Sequence, residues 1–206
     1  MDGIHFFQSK IEETANMALS IRKYKKKECI TFKSTKGHHG SLSNMAPNFP
    51  ITINGTRLRT TEALYQALRF PNNPDVQKEI IQYASPISAK KYGRTHIHKT
   101  RPDWNKIRFR VMKFCIEIKL HQNYDKFSQM LLATKDLPIV EFTDKDKVWG
   151  ASLEGDYYVG TNALGRLLME LREKVKSGTF EFTIPEIENF RFLNKNIDKN
   201  SVPNNV

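Results

Sequence analysis

Apolar positions along the chain recur at two periods, and each period marks a different kind of element. Leu164, Leu167, Leu168, Leu171 and Val175 fall at i, i+3, i+4, i+7 and i+11, one face of an α-helix that Asn162 caps and Gly178 ends. Arg166 and Glu170 stand one turn apart on its other face, spaced to pair. The longest helical run begins at Pro102 and continues to about Asn123, with Trp104, Ile107, Val111, Cys115, Ile118 and Leu120 turned inward. Thr61 caps a further helix, TEALYQALRF, in which Leu64 and Leu68 face the core. Glu62, Gln66 and Arg69 make one polar stripe along that helix, which is either its solvent face or the wall of a polar pocket. Shorter helices are predicted over Asp75 to Tyr83, from Ser85-Pro86 to Gly93-Arg94, and over Phe127 to Leu132.

Alternation with period two is rarer. Ile51 to Arg59 alternates around Asn54-Gly55, the strongest hairpin signal in the chain. Glu28 to Lys33 and Ile139 to Thr143 read as short strands, and Phe180 to Ile184 as an edge strand. The expected fold is therefore α+β, a helix-rich single domain with a few short strands. At the start, Ser9 and Glu12 form a capping box for a helix running into the basic stretch Arg22 to Lys27, so residues 1–27 read as a helical and basic extension. Residues 28–193 then form the domain, and the Asn-rich residues 194–206 read as a disordered tail.

Composition narrows the function classes. Lys and Arg number 33 against 22 Asp and Glu, a net charge of +11 that favours a polyanionic partner such as nucleic acid. Two cysteines give no disulfide framework, and the adjacent His38 and His39 lack the spacing of a metal site, so neither a zinc site nor a cofactor is expected. No long apolar segment marks an export signal or a membrane span, and a reducing cytoplasm fits.

Candidate chemistry concentrates between Glu141 and Glu173. The loop TDKDKVWG carries Asp144, Asp146, Trp149 and Gly150. A carboxylate beside an indole suits a stacked base or ribose, although an Asx-turn beside a core tryptophan has the same composition. Gly160, Thr161, Asn162 and Gly165 leave the first turn of the next helix almost without bulk. Its N–H groups can face a phosphate, or the turn can pack closely on a neighbour. The loop STKGHHGSLSNMAP adds Lys36, Ser43 and Asn44 as possible ligand contacts.

Taken in order, SLSNMAP, TTEALYQALRF, Gly93-Arg94, RPDW, LLAT, the IVE strand, DKDKVWG and GTNALGRLLMELRE resemble the NADAR, or YbiA-like, family over roughly Ile30 to Glu173. The resemblance implies a helix-rich α+β fold and an N-glycosidase, acting either on early riboflavin-pathway intermediates or on ADP-ribose attached to guanine in nucleic acid. It maps the family's glutamate on Glu62, its RxxW tryptophan on Trp104 and its DxxWG pair on Asp146 and Trp149. Ala63 and Leu64 depart from the His-Tyr of YbiA. SLSNMAP, EALYQALRFP and GRLLMELRE look like the NADAR antitoxins that oppose DarT-type DNA ADP-ribosyltransferases, so ADP-ribosylated DNA, and pairing with such a toxin, are the implied partners.

On that basis Glu62 and Asp146 are expected to act as acid and base. Trp104 and Trp149 would stack on base or sugar, and Asn44, Gln66 and Arg94 would orient ribose or phosphate. Thr161, Asn162, Gly165 and Arg166 would hold the pyrophosphate, and Gly150 is expected among the substrate-binding residues. Lys36 is a candidate for capturing the opened ribose as an imine. Two other readings stay open: a glycosidase of riboflavin intermediates, and a non-catalytic module that binds nucleic acid or a toxin.

Overall fold

A computed structural model describes residues 20–203. The capping box at Ser9 and Glu12 lies outside the described residues. Among those described, six α-helices and nine short strands form an α+β fold. The helices are α1 (Thr61–Ala67), α2 (Pro74–Gln82), α3 (Pro86–Thr95), α4 (Trp104–Gln122), α5 (Tyr124–Leu132) and α6 (Ala163–Lys176).

Among the described residues the helices predicted from Thr61 onward all form, at boundaries set by local chemistry. Thr60, one residue earlier than expected, caps α1 by accepting from the Ala63 N–H, which leaves the Thr61 hydroxyl free to donate to the Asn44 carbonyl. Every residue of α1 is buried, so Glu62 and Gln66, with Arg69 from the turn that follows, make a pocket wall and not a solvent face. Helix α4 is the central post: Ile107, Val111, Cys115, Ile118 and Leu120 are buried among side chains of α1, α5 and α6. Gly178, at φ +69°, ends α6 where the C-terminal glycine was expected. Glu170 does not pair with Arg166. Its carboxylate lies 2.5 Å from Lys113 Nζ of α4, which offers a closer cation across the helix interface.

The strands make small sheets. β2 (Ile30–Phe32) and β5 (Ile139–Glu141) run parallel with Phe32 opposite Glu141, and β3 (Ile51–Ile53) and β4 (Thr56–Leu58) form the Asn54-Gly55 hairpin with both turn residues at positive φ. The sequence reading did not anticipate the three-stranded sheet of β1 (Arg22–Lys25), β7 (Tyr157–Gly160) and β6 (Ser152–Glu154). It corrects the extension: Arg22 to Lys25 is a strand paired with β7, its Tyr24 buried and its charges outward, not the end of a helix.

Two further expectations fail at the C-terminal end. Phe180 to Ile184 joins no sheet, because its aromatic rings pack sideways instead, Phe182 on Phe114 and His121 and Phe180 on Tyr124. The supposed tail is ordered up to Pro203. β8 (Arg191–Phe192) and β9 (Lys195–Asn196) form a hairpin, and Ile197 and Val202 are buried. Buried Gln77 holds that hairpin by donating to the Arg191 carbonyl and accepting from the Leu193 N–H, and Asn54 donates to the Phe192 carbonyl. No described helix is long and apolar enough to cross a membrane.

Candidate active site

A cavity of about 330 Å³ opens where α1, α3, the start of α4 and the loop after β5 meet. Three elements bring carboxylates to it: Glu62 from α1, Glu141 from the end of β5, and Asp146 from the following loop. Four cations line it as well: Arg69 from the turn after α1, Lys90 and Arg94 of α3, and Arg108 of α4. Trp104, Trp149 and Tyr65 supply flat walls, and Asn44 and Gln66 supply neutral polar atoms. Glu62 and Asp146, more than eighty positions apart in sequence, thus face one space.

The polar stripe on α1 is a relay. Glu62 Oε1 accepts from Gln66 Nε2 at 2.8 Å, Gln66 Oε1 accepts from Arg69 Nη1 at 3.1 Å, and Arg69 Nη2 reaches the Thr100 hydroxyl at 3.3 Å. The stripe is thereby pre-oriented before any ligand enters. Burial, with Arg94 nearby, pulls the Arg69 guanidinium below its ordinary pKa, and its buried Nε has no protein partner. The adjacent turn is rigid, since Arg101 forks onto Asp103 and donates to the carbonyls of Glu188 and Asn189, which sets Trp104 at the head of α4. Tyr65 lies edge-on to Trp149 at 5.6 Å and tilted against Trp104 at 5.1 Å.

The loop after β5 is an Asx-turn, and its aspartate faces the cavity all the same. Asp146 Oδ1 accepts from the N–H groups of Val148 and Trp149 at 3.2 and 3.1 Å, fixing the carboxylate and the indole together. Asp144 points outward to an exposed ion pair with Lys33. The Asn44 amide contacts Met112 Sδ, while its carbonyl accepts from the Glu62 N–H at 3.0 Å, so loop and helix start move as one.

Glu141 was missed by the sequence reading. Its carboxyl is crowded by protein atoms, and burial together with Glu62 and Asp146 pushes its pKa up to about 7, against the opposing pull of Lys90. The available signal was its place as the last residue of the IVE strand, at the carboxyl end that feeds the site loop. Lys90 and Arg94 stand at i and i+4, as do Trp104 and Arg108, so Lys90 was legible from Arg94 and Arg108 from Trp104.

Six expected residues do not line the cavity. The N–H groups of Thr161, Asn162, Ala163 and Leu164 donate to the carbonyls of Lys147, Gly150, Val148 and Trp149, so four of the donors a pyrophosphate would need are spent inside the protein. Asn162 does not cap α6 with its side chain. In the left-handed region at φ 52°, it bridges the Ile139 carbonyl and the Glu141 N–H. A Cβ on Gly165 would collide with the Ile139 carbonyl, and one on Gly150 with the Glu141 carbonyl, so both glycines serve close packing. Arg166 lies beside Arg22 and Tyr24 of β1. Lys36 sits exposed on a turn closed by the Ser34 hydroxyl, which turns it to solvent, and Lys90 is the lysine of the cavity wall. The close-packing alternative is the correct one for α6.

The α+β fold carries a cavity lined by carboxylates, arginines and indoles, and comparison with known proteins gives the family. A NADAR domain matches residues 31–176, and the chain belongs to that family. It is 35% identical over 146 residues to the N-glycosidase YbiA of Escherichia coli (strain K12), covering 71% of this chain and 88% of that one. A riboflavin biosynthesis protein of Vibrio vulnificus (strain YJ016) is 32% identical over 161 residues, which is 78% of this chain and 42% of its own. The NMR structure of Escherichia coli YbiA superposes with a TM-score of 0.63 at 32% identity, over 77% of this chain and 91% of that one.

Proposed function

We propose that this protein is an N-glycosidase that hydrolyses the link between ribose C1 and the exocyclic nitrogen of ADP-ribosylated guanine in nucleic acid. The observation that carries the reading is the cavity itself, lined by Glu62, Asp146 and four cationic side chains. Breaking a C1–N bond develops positive charge on the sugar, which an anion stabilises, and leaves a basic nitrogen that needs a proton. Arg69, Arg94, Arg108 and Lys90 suit the two phosphates of ADP-ribose and replace the helix start of α6 in that role. Trp104 and Trp149 flank base and ribose, and Asn44 and Gln66 orient the ribose hydroxyls. The net charge of +11 and the antitoxin-like motif forms support a nucleic-acid substrate, DNA before RNA, and a pairing with a DarT-type toxin.

A second reading, hydrolysis of a phosphorylated ribosylamine, is supported by the Vibrio relative named for riboflavin biosynthesis. The two part on the product. Incubation with a guanine-ADP-ribosylated oligonucleotide, read by mass, is expected to free ADP-ribose and the unmodified strand. Release of ribose 5-phosphate from a ribosylamine phosphate, with the strand left intact, selects the second reading. Binding of the strand without cleavage of either substrate selects a non-catalytic module. Glu62→Gln and Asp146→Asn are each expected to slow turnover by ~10²–10⁴, and unchanged turnover in both removes the site assignment.

A further inference from the structure

Glu141 stands in the cavity on a backbone held from two directions. Its N–H donates to Asn162 Oδ1 at 3.0 Å, and its carbonyl accepts from the Ala151 N–H at 2.9 Å, while β2 pairs with the strand it ends. Its side chain faces Glu62 of α1, Asp146 of the loop and Lys90 of α3. Glu62 and Asp146 each use a carboxylate oxygen to accept a hydrogen bond from nitrogen, Glu62 from Gln66 and Asp146 from two backbone N–H groups. Each is anchored as an acceptor through that one oxygen. Among the described residues no hydrogen bond or ion pair engages the Glu141 carboxyl, which keeps it free to present a proton to whatever occupies the cavity.

We infer that Glu141 is the general acid of the reaction, a third carboxyl that protonates the departing nitrogen; this rests on the glycosidase reading. As the C1–N bond breaks, its electron pair goes to nitrogen, and the Glu141 proton goes with it to give the neutral amine. Water then adds to C1 and loses a proton to Glu62 or Asp146, and exchange with solvent returns a proton to Glu141. The division of labour follows from surroundings: two carboxylates fixed as acceptors beneath the sugar, and one in a crowded, like-charged corner that holds its proton near neutral pH.

The test uses Glu141→Gln in the full chain, with melting curves confirming the fold, and two substrates. One is the guanine-ADP-ribosylated strand, whose amine leaves poorly. The other carries 4-nitrophenolate at the same carbon and leaves without protonation. An acid role predicts that Glu141→Gln lowers kcat on the first by ~100-fold and on the second by roughly fivefold or less. It also predicts that the decline of wild-type kcat above neutral pH disappears in the variant. Equal losses on both substrates, or a wild-type pH limb retained by the variant, overturn the assignment, and the pH limb decides alone where the nitrophenyl compound is not a substrate. Wild-type protein that cleaves neither this strand nor a ribosylamine phosphate overturns the glycosidase reading itself.

Discussion

At the scale of single residues, the same side-chain types mean opposite things two turns apart. Gly165 and Asn162 have the composition of a phosphate cradle, yet the backbone donors around them are spent on the carbonyls of 147–150 and the glycine is pressed against β5. Overpacking of that kind costs about 1–3 kcal/mol, so Gly165→Ala is expected to lower the melting temperature by several degrees. KM would hold at temperatures where the variant remains folded. A cradle would give the reverse, an intact melt and a raised KM, and thermal denaturation beside steady-state kinetics separates the two. Glu62, Asp146 and the tryptophans were legible through the family resemblance, since stripe, loop and indoles by themselves fitted a pocket and a packed core or turn alike. Glu141 was not, because a strand-end glutamate shows its neighbours only after β2 and β5 are paired.

At the scale of elements, α4 shows why helical periodicity reads well and its polar exceptions do not. Lys119 lies on its buried side among apolar positions, donating from Nζ to the carbonyls of Ser41 and Ser43 at 2.7 and 3.1 Å and lying over the rings of Phe49 and Phe127. It ties the turn before Asn44 to the central helix, so an interior cation supports the site from behind. Burial lowers its pKa from 10.5 to about 7. Between those values the unfolded chain holds a proton that the folded chain has lost, so stability rises with pH across that window and the charged group is costliest below it. Wild type is therefore expected to gain melting temperature relative to Lys119→Met between pH 7 and pH 9.5, measured by paired denaturation at each pH. A constant difference refutes the linkage. The β6–β7 hairpin escaped the sequence reading because its strands are only three and four residues long and carry a buried pattern no clearer than a loop's. Phe180 to Ile184 looked like a strand because aromatic and β-branched residues favour both a sheet and the flank of a helix bundle.

At the scale of the whole molecule, the family match and the folding unit have different limits. The NADAR match ends at residue 176, whereas the core continues through Ile187, Phe190, Phe192, Ile197 and Val202, all buried. Composition hid this, since Asn and Lys crowd the surface of a segment whose few apolar residues all point inward. At about 1.5–3 kcal/mol for each fully buried side chain, these five contribute on the order of 10 kcal/mol, comparable with the whole stability of a typical domain. The same segment completes the site at a distance, because the carbonyls of Glu188 and Asn189 hold the Arg101 fork that positions Trp104. Ending the chain after Gly178 is therefore expected to yield protein that unfolds at ambient temperature and is degraded rapidly in limited proteolysis. Ending it after Pro203 is expected to leave melting temperature and turnover unchanged. A chain cut at 178 that still melts cooperatively near the full-length value would show that residues 179–203 only cover the fold and do not close it.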